Sequence, residues 1–383
     1  MFYPLTRIRK IPLWVSDFIN IFSIVLFSFP LIITVISKCR SAGPTNSGSP
    51  TELFPITPKI NQENLPDIYH IILDGYANAN TLVQIYNFDN HEFIDYLKSK
   101  GFFILEHSKS NYTFTQLSIP STMMMDYAKI EESDEKPKQA QINTLNKLEN
   151  KVKAYVMSRG YKYDDLNVST GSSVLNEASE EFYFMVLNLT IAKAFLTRLS
   201  LFPNIIRNTV LNRFEALKKS TELPGPKFVF ASIRSPHPPF VFTQNGDHYN
   251  QFLHSTAANI WKSGWDDYEG YLNQLIYISK LTQESVEYIL THSKKAPVIL
   301  IHSDHGPHFT VPLNEAMENA QSNFAAIYSP DGQRLFYEGI TPVNYFKVIF
   351  NHYFNAGLTL SKDESFYSKE DNPFSIKKWV PNP

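Results

Sequence analysis

Residues 296–308, A-P-V-I-L-I-H-S-D-H-G-P-H, constrain this chain more than any other stretch. Residues 298–301 are an apolar run of strand length, which reads as a strand buried on both faces. The run breaks abruptly into His302, Asp304, His305 and His308, with Gly306 and Pro307 forcing a turn. Open α/β sheets place ligands just past the carboxyl ends of their strands. A carboxylate beside an imidazole at that point supplies two good ligands for a zinc-like cation. Taken alone, the same residues serve equally well as a polar strand end whose histidines cap the next helix.

The rest of the chain repeats the pattern. Residues 67–73 form the first strand, which ends in Asp74-Gly75 and a polar turn over 76–80. A second strand, 102–105, leads into the hydroxyl-dense stretch 108–127. Pro120 suits the first turn of a helix better than its middle, which puts Thr113, Thr115 and Ser118 near a helix N-terminus. Backbone N–H groups and the helix dipole favour an anion such as phosphate there, although ordinary capping is the commoner use of Ser and Thr. Residues 160–166, 227–233 and 323–328 read as further strands, and the fourth leads to His237, held between Pro236 and Pro238. Helical spacing covers 81–100, with a break at Asn90, and 142–158. It also covers 268–292, whose Leu272, Leu275, Ile276 and Leu290 are expected to face the core, and 343–354, with Thr341 as cap and Pro342 at the first position. Residues 169–217 are helical or irregular, and the tail from 355 is expected to lie over the surface.

Strands that alternate with helices predict an α/β fold with a mostly parallel central sheet flanked by helices. Parallel strands put their carboxyl ends along one edge, so Asp74, the 113–115 region, His237, and Asp304 with His305 can converge. Two carboxylates, an imidazole and a threonine hydroxyl make a four-ligand metal site, in which a bound hydroxyl loses its proton more easily and becomes a usable nucleophile.

The N-terminal region is of a different kind. Residues 18–37 carry no charge and are long enough to cross a bilayer core, which needs roughly 20 residues. Arg7, Arg9 and Lys10 precede them and Lys38 and Arg40 follow, a slight bias toward a cytoplasmic N-terminus. A cleaved signal peptide fits less well, because a small-x-small cleavage pattern is poor here. The expected organisation is a tail (1–17), one transmembrane helix (18–37), a Ser-, Thr- and Pro-rich linker (38–66) and a catalytic domain (67–383) outside the cytoplasm. The net charge of -2 gives no argument for nucleic acid as a partner. The single cysteine, Cys39, rules out an intramolecular disulfide and a cysteine metal cluster.

Four pieces together resemble a known group: D-I-Y-H-I-I-L-D-G-Y (67–76), S-N-Y-T-F-T-Q-L-S-I-P-S (110–121), P-K-F-V-F-A-S-I-R-S-P-H-P-P-F (226–240) and S-D-H-G-P-H (303–308). Their order and spacing are similar to the alkaline phosphatase/sulfatase superfamily, and within it to the membrane-anchored enzymes that include lipoteichoic acid synthases and phosphoethanolamine transferases. The resemblance covers most of residues 67–375. It implies that Asp74, Thr115, Asp304 and His305 bind a zinc or manganese ion, that Thr115 is the nucleophile, with Ser118 and Pro120 in register, and that His237 lies on the substrate or leaving-group side. It also implies transfer or hydrolysis at a phosphate ester on a lipid or cell-envelope glycan. Sulfatases carry a nucleophilic cysteine and usually paired aspartates after the first strand. Here Thr115 and Gly75 stand in those places. A further histidine that some transferases use downstream of the Asp-His pair has no obvious counterpart, His308 being too close. The alternatives are a sulfatase and a catalytically silent envelope protein that keeps the fold for binding.

Overall fold

The computed structural model describes residues 65–128, 149–167, 201–249, 251, 264–309, 313–369 and 372–379. The expected membrane segment 18–37, most of the linker and the expected loop 131–139 lie outside them. Among the described residues no helix is long and apolar enough to cross a membrane.

Six strands build the central sheet: β1 (Ile68–Leu73), β2 (Phe102–Ile104), β3 (Lys162–Asp165), β4 (Lys227–Ile233), β5 (Val298–His302) and β6 (Ala325–Tyr328). Their order is β2-β6-β5-β1-β4-β3. β3, β4, β1 and β5 run parallel, and only β6 runs against its neighbours β5 and β2. Every residue of β1 and β5 is buried, as a strand covered on both faces requires.

Alternation along the strands divides the interior into two cores. Tyr69, Ile71 and Leu73 of β1, Val229, Ala231 and Ile233 of β4, and Ile299 and Ile301 of β5 face one. Helices α1 (Ala79–Tyr86), α2 (His91–Ser99), α5 (Leu201–Lys219) and α6 (Tyr268–His292) supply side chains to that core. Ile68, Ile72, Phe228, Phe230, Val298 and Leu300 face the other, which α3 (Thr115–Met124), α4 (Lys151–Ser158) and α8 (Pro342–Phe354) fill. A further helix, α7 (Leu313–Gln321), precedes β6, and a hairpin of β7 (Phe366–Lys369) and β8 (Asn372–Lys378) follows α8.

The strands lie where the sequence places them, within one to three residues at their ends, and three other expectations need correction. Pro120 sits inside α3, which begins five residues earlier at Thr115. The missing proline N–H removes one bond, while the first turn is held by tertiary bonds described below. The stripe of α6 that packs deepest is Tyr271, Leu275, Ile278, Val286 and Ile289; Leu272 and Leu290 are only partly buried against the core. The tail from 355 is not merely surface cover. The Thr341 hydroxyl donates to Asp363 instead of capping α8, and Ser365 and Phe366 bond to the backbone of Ser110 and Asn111.

His302 also departs from expectation. It is the last residue of β5, and its side chain packs against His70 of β1. Its Nδ1–H donates to the Ser303 carbonyl at 2.9 Å, so its Nε2 carries a lone pair and accepts the His70 Nε2–H at 2.8 Å. His70 is then left with a bare Nδ1, buried without a partner among Phe228, Phe230 and Phe346. Burial first, then the nearby His302, hold His70 well below its ordinary pKa. The unfolded chain therefore binds a proton that the native protein refuses once the pH drops below about 6.5. Stability is expected to fall as pH falls from there. His70→Phe is expected to flatten the decline, read as the urea midpoint between neutral pH and pH 5; an equally steep decline in the variant would show that His70 is not its source.

Candidate metal centre

The carboxyl ends of β1, β2, β4 and β5 lie along one edge, and the expected residues follow them there. Asp74 N–H donates to Ile233 O at 3.0 Å and His237 N–H donates to Asp74 O at 3.0 Å, tying the exit of β1 to that of β4. Asp74, Asp304 and His305 come together, each with a ligand atom within 4.8 Å of the others. Asp74 is 5% exposed, Asp304 0% and His305 2%. Thr115, the first residue of α3, is half-buried, so it is the member of the group that solvent and substrate reach most easily.

The hydrogen bonds fix the protonation pattern. His305 Nδ1–H donates to the Gly306 carbonyl at 2.7 Å, which leaves Nε2 as the coordinating or accepting nitrogen. That nitrogen lies 3.5 Å from Asp74 Oδ1, 3.7 Å from Asp304 Oδ2 and 3.2 Å from Thr115 Oγ1. Asp304 Oδ1 accepts the Gly75 N–H at 3.3 Å. Asp74 Oδ1 and Asp304 Oδ2 are buried without any hydrogen-bond partner. Buried carboxylate oxygens are normally satisfied, and two facing one another repel as well. Burial raises the pKa of both, in Asp304 with a further push from Asp74. Burial works against a charge on His305, but Asp304 and Asp74 outweigh it and raise its pKa. All three groups thus call for positive charge at one point. Two hard oxygens, one imidazole nitrogen and a hydroxyl suit a divalent ion of the zinc or manganese kind.

Residues from other elements hold this group in register. Ser118 Oγ lies 2.7 Å from the Asp304 carbonyl and 2.6 Å from Asn111 Oδ1, and its single proton serves one of these at a time. Asn111 returns Nδ2–H to the Ser118 carbonyl at 3.2 Å, and its Oδ1 accepts the Tyr112 N–H. Both side chains are fully buried. They clamp the first turn of α3, which carries Thr115, onto the backbone of Asp304. Gly306 packs so tightly that a Cβ there would lie 2.0 Å from the Asn319 carbonyl oxygen, so the turn after His305 requires glycine.

His237 stands beside the group. Its ring centroid is 6.2 Å from that of His305 and 4.9 Å from that of Trp265. Its Nδ1–H donates to Pro238 O at 2.6 Å. Burial first, then Arg234 and His305, lower its pKa to about 3, so the imidazole is neutral. His308 is nearer than its sequence spacing suggests. Its ring centroid is 4.8 Å from that of His305, and its Nε2 is buried without a hydrogen-bond partner. Trp265, which no motif marks, packs against His237, His305 and His308. It also explains Gly75. At φ 75° a Cβ on Gly75 would lie 2.5 Å from Trp265 Cη2, so the indole ring leaves no room for a side chain at that position.

No protein-family model matches the chain, and no curated protein matches its sequence. Solved structures do. The C-terminal periplasmic domain of EcEptC from Escherichia coli superposes with a TM-score of 0.52 at 10% identity, covering 85% of this chain and 96% of that one. The C-terminal periplasmic domain of phosphoethanolamine transferase EptC from Campylobacter jejuni gives 0.46 at 14% identity, covering 84% and 97%. A putative sulfatase from Bacteroides thetaiotaomicron gives 0.47 at 12% identity, covering 82% and 75%. The likeness to the Escherichia coli domain, at 10% identity, establishes a shared fold.

Two outcomes are expected. Purified protein is expected to carry near-stoichiometric zinc or manganese by elemental analysis, and Asp304→Ala/His305→Ala to carry none. At a free-ion concentration a hundredfold above Kd, the ion is expected to add about 2.7 kcal/mol of stability. Ser118→Ala is expected to cost about 1–3 kcal/mol in chemical denaturation, since it leaves buried partners unmatched. A cost within error of zero would mean that α3 is held by other contacts.

Proposed function

We propose that this chain, built on the alkaline phosphatase/sulfatase fold, is a metal-dependent phosphoryl-group transferase or phosphodiester hydrolase of the phosphoethanolamine or phosphoglycerol transferase type. Its substrate is a lipid or cell-envelope glycan, and Thr115 is its nucleophile. The observation that carries this reading is the Thr115 hydroxyl, 3.2 Å from His305 Nε2, at the accessible side of an otherwise buried Asp-Asp-His group.

Asp74, Asp304, His305 and Thr115 would hold the ion. When bound, it supplies positive charge that lowers the pKa of a hydroxyl and neutralises phosphoryl oxygens, which is most of what phosphoryl transfer needs. The residues do the rest. The first turn of α3, clamped through Ser118 and Asn111, aims the Thr115 oxygen at the incoming phosphorus. A bond forms between Thr115 Oγ1 and phosphorus as the bond to the leaving alcohol breaks, giving a threonine phosphodiester that keeps the donor's other ester group. The threonine proton passes to a basic group of the buried cluster. His237, once its Nε2 has taken up a proton from solvent, binds the phosphate or protonates the leaving oxygen. It is neutral beforehand and gains basicity when the negative charge of the ester arrives. Water or an acceptor hydroxyl then attacks phosphorus, the bond from phosphorus to Thr115 Oγ1 breaks as the new one forms, and the proton released by the attacking hydroxyl restores the Thr115 hydroxyl.

Two features weigh against sulfate-ester cleavage. The nucleophile position is threonine rather than a cysteine that can become formylglycine, and Trp265 fills the space of a paired aspartate. The membrane anchor at 18–37 and an extracytoplasmic catalytic domain belong to the same proposal, because an envelope substrate lies beside the bilayer.

The test is mass spectrometry of the protein after exposure to a phosphodiester lipid donor. A Thr115 adduct that carries the donor's phosphoryl group with its remaining ester substituent is expected, with turnover falling by several orders of magnitude in Thr115→Ala. Full turnover in that variant would remove the nucleophile. Cleavage of sulfate esters with phosphodiesters ignored would favour a sulfatase, and an intact fold with no bound metal would favour a silent binding protein.

A further inference from the structure

A polar cleft of about 570 Å³ opens between the loops that follow β1 and β2 and helix α7. Three segments reach it, and each also carries a residue of the metal centre. The loop after β1 has Asp74 at one end and Asn78 at the other, and α1, which it enters, brings Asn80 and Gln84 to the cleft. The loop after β2 has Lys109 at the cleft and Thr115 at the nucleophile position. The segment from Asp304 onward ends in Glu315, Glu318 and Asn319 of α7, also on the cleft. Bonds between these segments fix their spacing: Asn78 N–H to Ser322 O, Ser110 N–H to Gln321 O, and Gly306 N–H to Ala320 O. Four residues of chain span at most ~14 Å, so the cleft edge at Asn78 lies no farther than that from Asp74.

The chemistry of the lining selects the ligand. Ile85 is its one apolar residue, so an acyl chain gains little by entering. Asn80, Gln84, Lys109, Glu315, Glu318 and Asn319 face the cleft and make no side-chain hydrogen bond or ion pair with another described residue. They offer acceptors, a charged donor, and amides that do both. Two carboxylates against one ammonium disfavour an anion. A neutral polyhydroxyl compound matches this set, because each hydroxyl both donates and accepts. We propose that this cleft is a saccharide subsite, which holds the sugar portion of a glycan substrate while its phosphate lies at the metal centre. The proposal rests on the phosphoryl-transfer reading and narrows its substrate class from lipid or glycan to glycan.

Binding can be measured without turnover, which separates this idea from the mechanism. Saturation-transfer NMR on the full-length protein would use two probes, a β-linked glucose disaccharide and an N-acetylglucosamine disaccharide, with ethanolamine as the cationic control. At least one disaccharide is expected to bind the wild type and to bind equally to Asp304→Ala. Its Kd is expected to rise at least about tenfold in Glu315→Gln/Glu318→Gln, which keeps side-chain shape, and in Gln84→Ala. The assignment is overturned by no disaccharide binding at millimolar concentration, by unchanged binding in both cleft variants, or by ethanolamine binding in place of sugar. Loss of sugar binding in Asp304→Ala would put the sugar at the metal centre and also overturn it.

Discussion

The structure depends on a repulsion. Asp74 and Asp304 leave adjacent parallel strands and meet with carboxylate oxygens that no protein donor satisfies. Burial makes both harder to ionise, and the remedy within the chain is His305, whose pKa the two acids raise. One imidazole is a poor match for two carboxylates. A divalent cation satisfies the orphaned oxygens and the Nε2 lone pair together, which is why the group reads as a metal centre and not as an ion pair that contributes to stability.

The fold supplies rigidity around that point. Two cores press on the central sheet from opposite sides, so the strand ends cannot shift independently. Helix α3, which carries Thr115, is then fastened to the backbone of Asp304 through Ser118, with Asn111 behind it. At the strand entrances, opposite the site, buried Lys227 pairs with Asp67 at 3.1 Å and also donates to the carbonyls of Thr221 and Leu223. The C-terminal tail closes the arrangement from outside, through Ser365 and Phe366 against the loop that leads to Thr115. Thr115 is thereby held on one side by the loop of Asp304 and on the other by the segment at 365–366.

Much of this was legible in the residues. Largely apolar runs at 68–73 and 227–233 and the wholly apolar run at 298–301 read as strands covered on both faces, and the polar residues that follow them mark the ligand edge. Parallel direction follows from the helices between them, and convergence of Asp74, Thr115, His237, Asp304 and His305 follows from direction. Those features are local or periodic, so a single sequence carries them.

Tertiary structure decided what depends on contacts between distant segments. Nothing in the sequence near Trp265 announces that its ring fills the space beside Gly75, 190 residues away in the chain. His302 and His308 look equally suited to the site, yet the alternation of β5 turns His302 into the opposite core, and the turn at Gly306 brings His308 back against His305. Pro120 argues locally for a helix start, and long-range bonds from Ser118 and Asn111 override it. The sequence by itself determined the class of sheet, the edge that bears the chemistry and the residue types that meet there. Which side chains reach the centre, and what excludes the others, was decided by packing, because side-chain direction and excluded volume are properties of the assembled cores and not of any one segment.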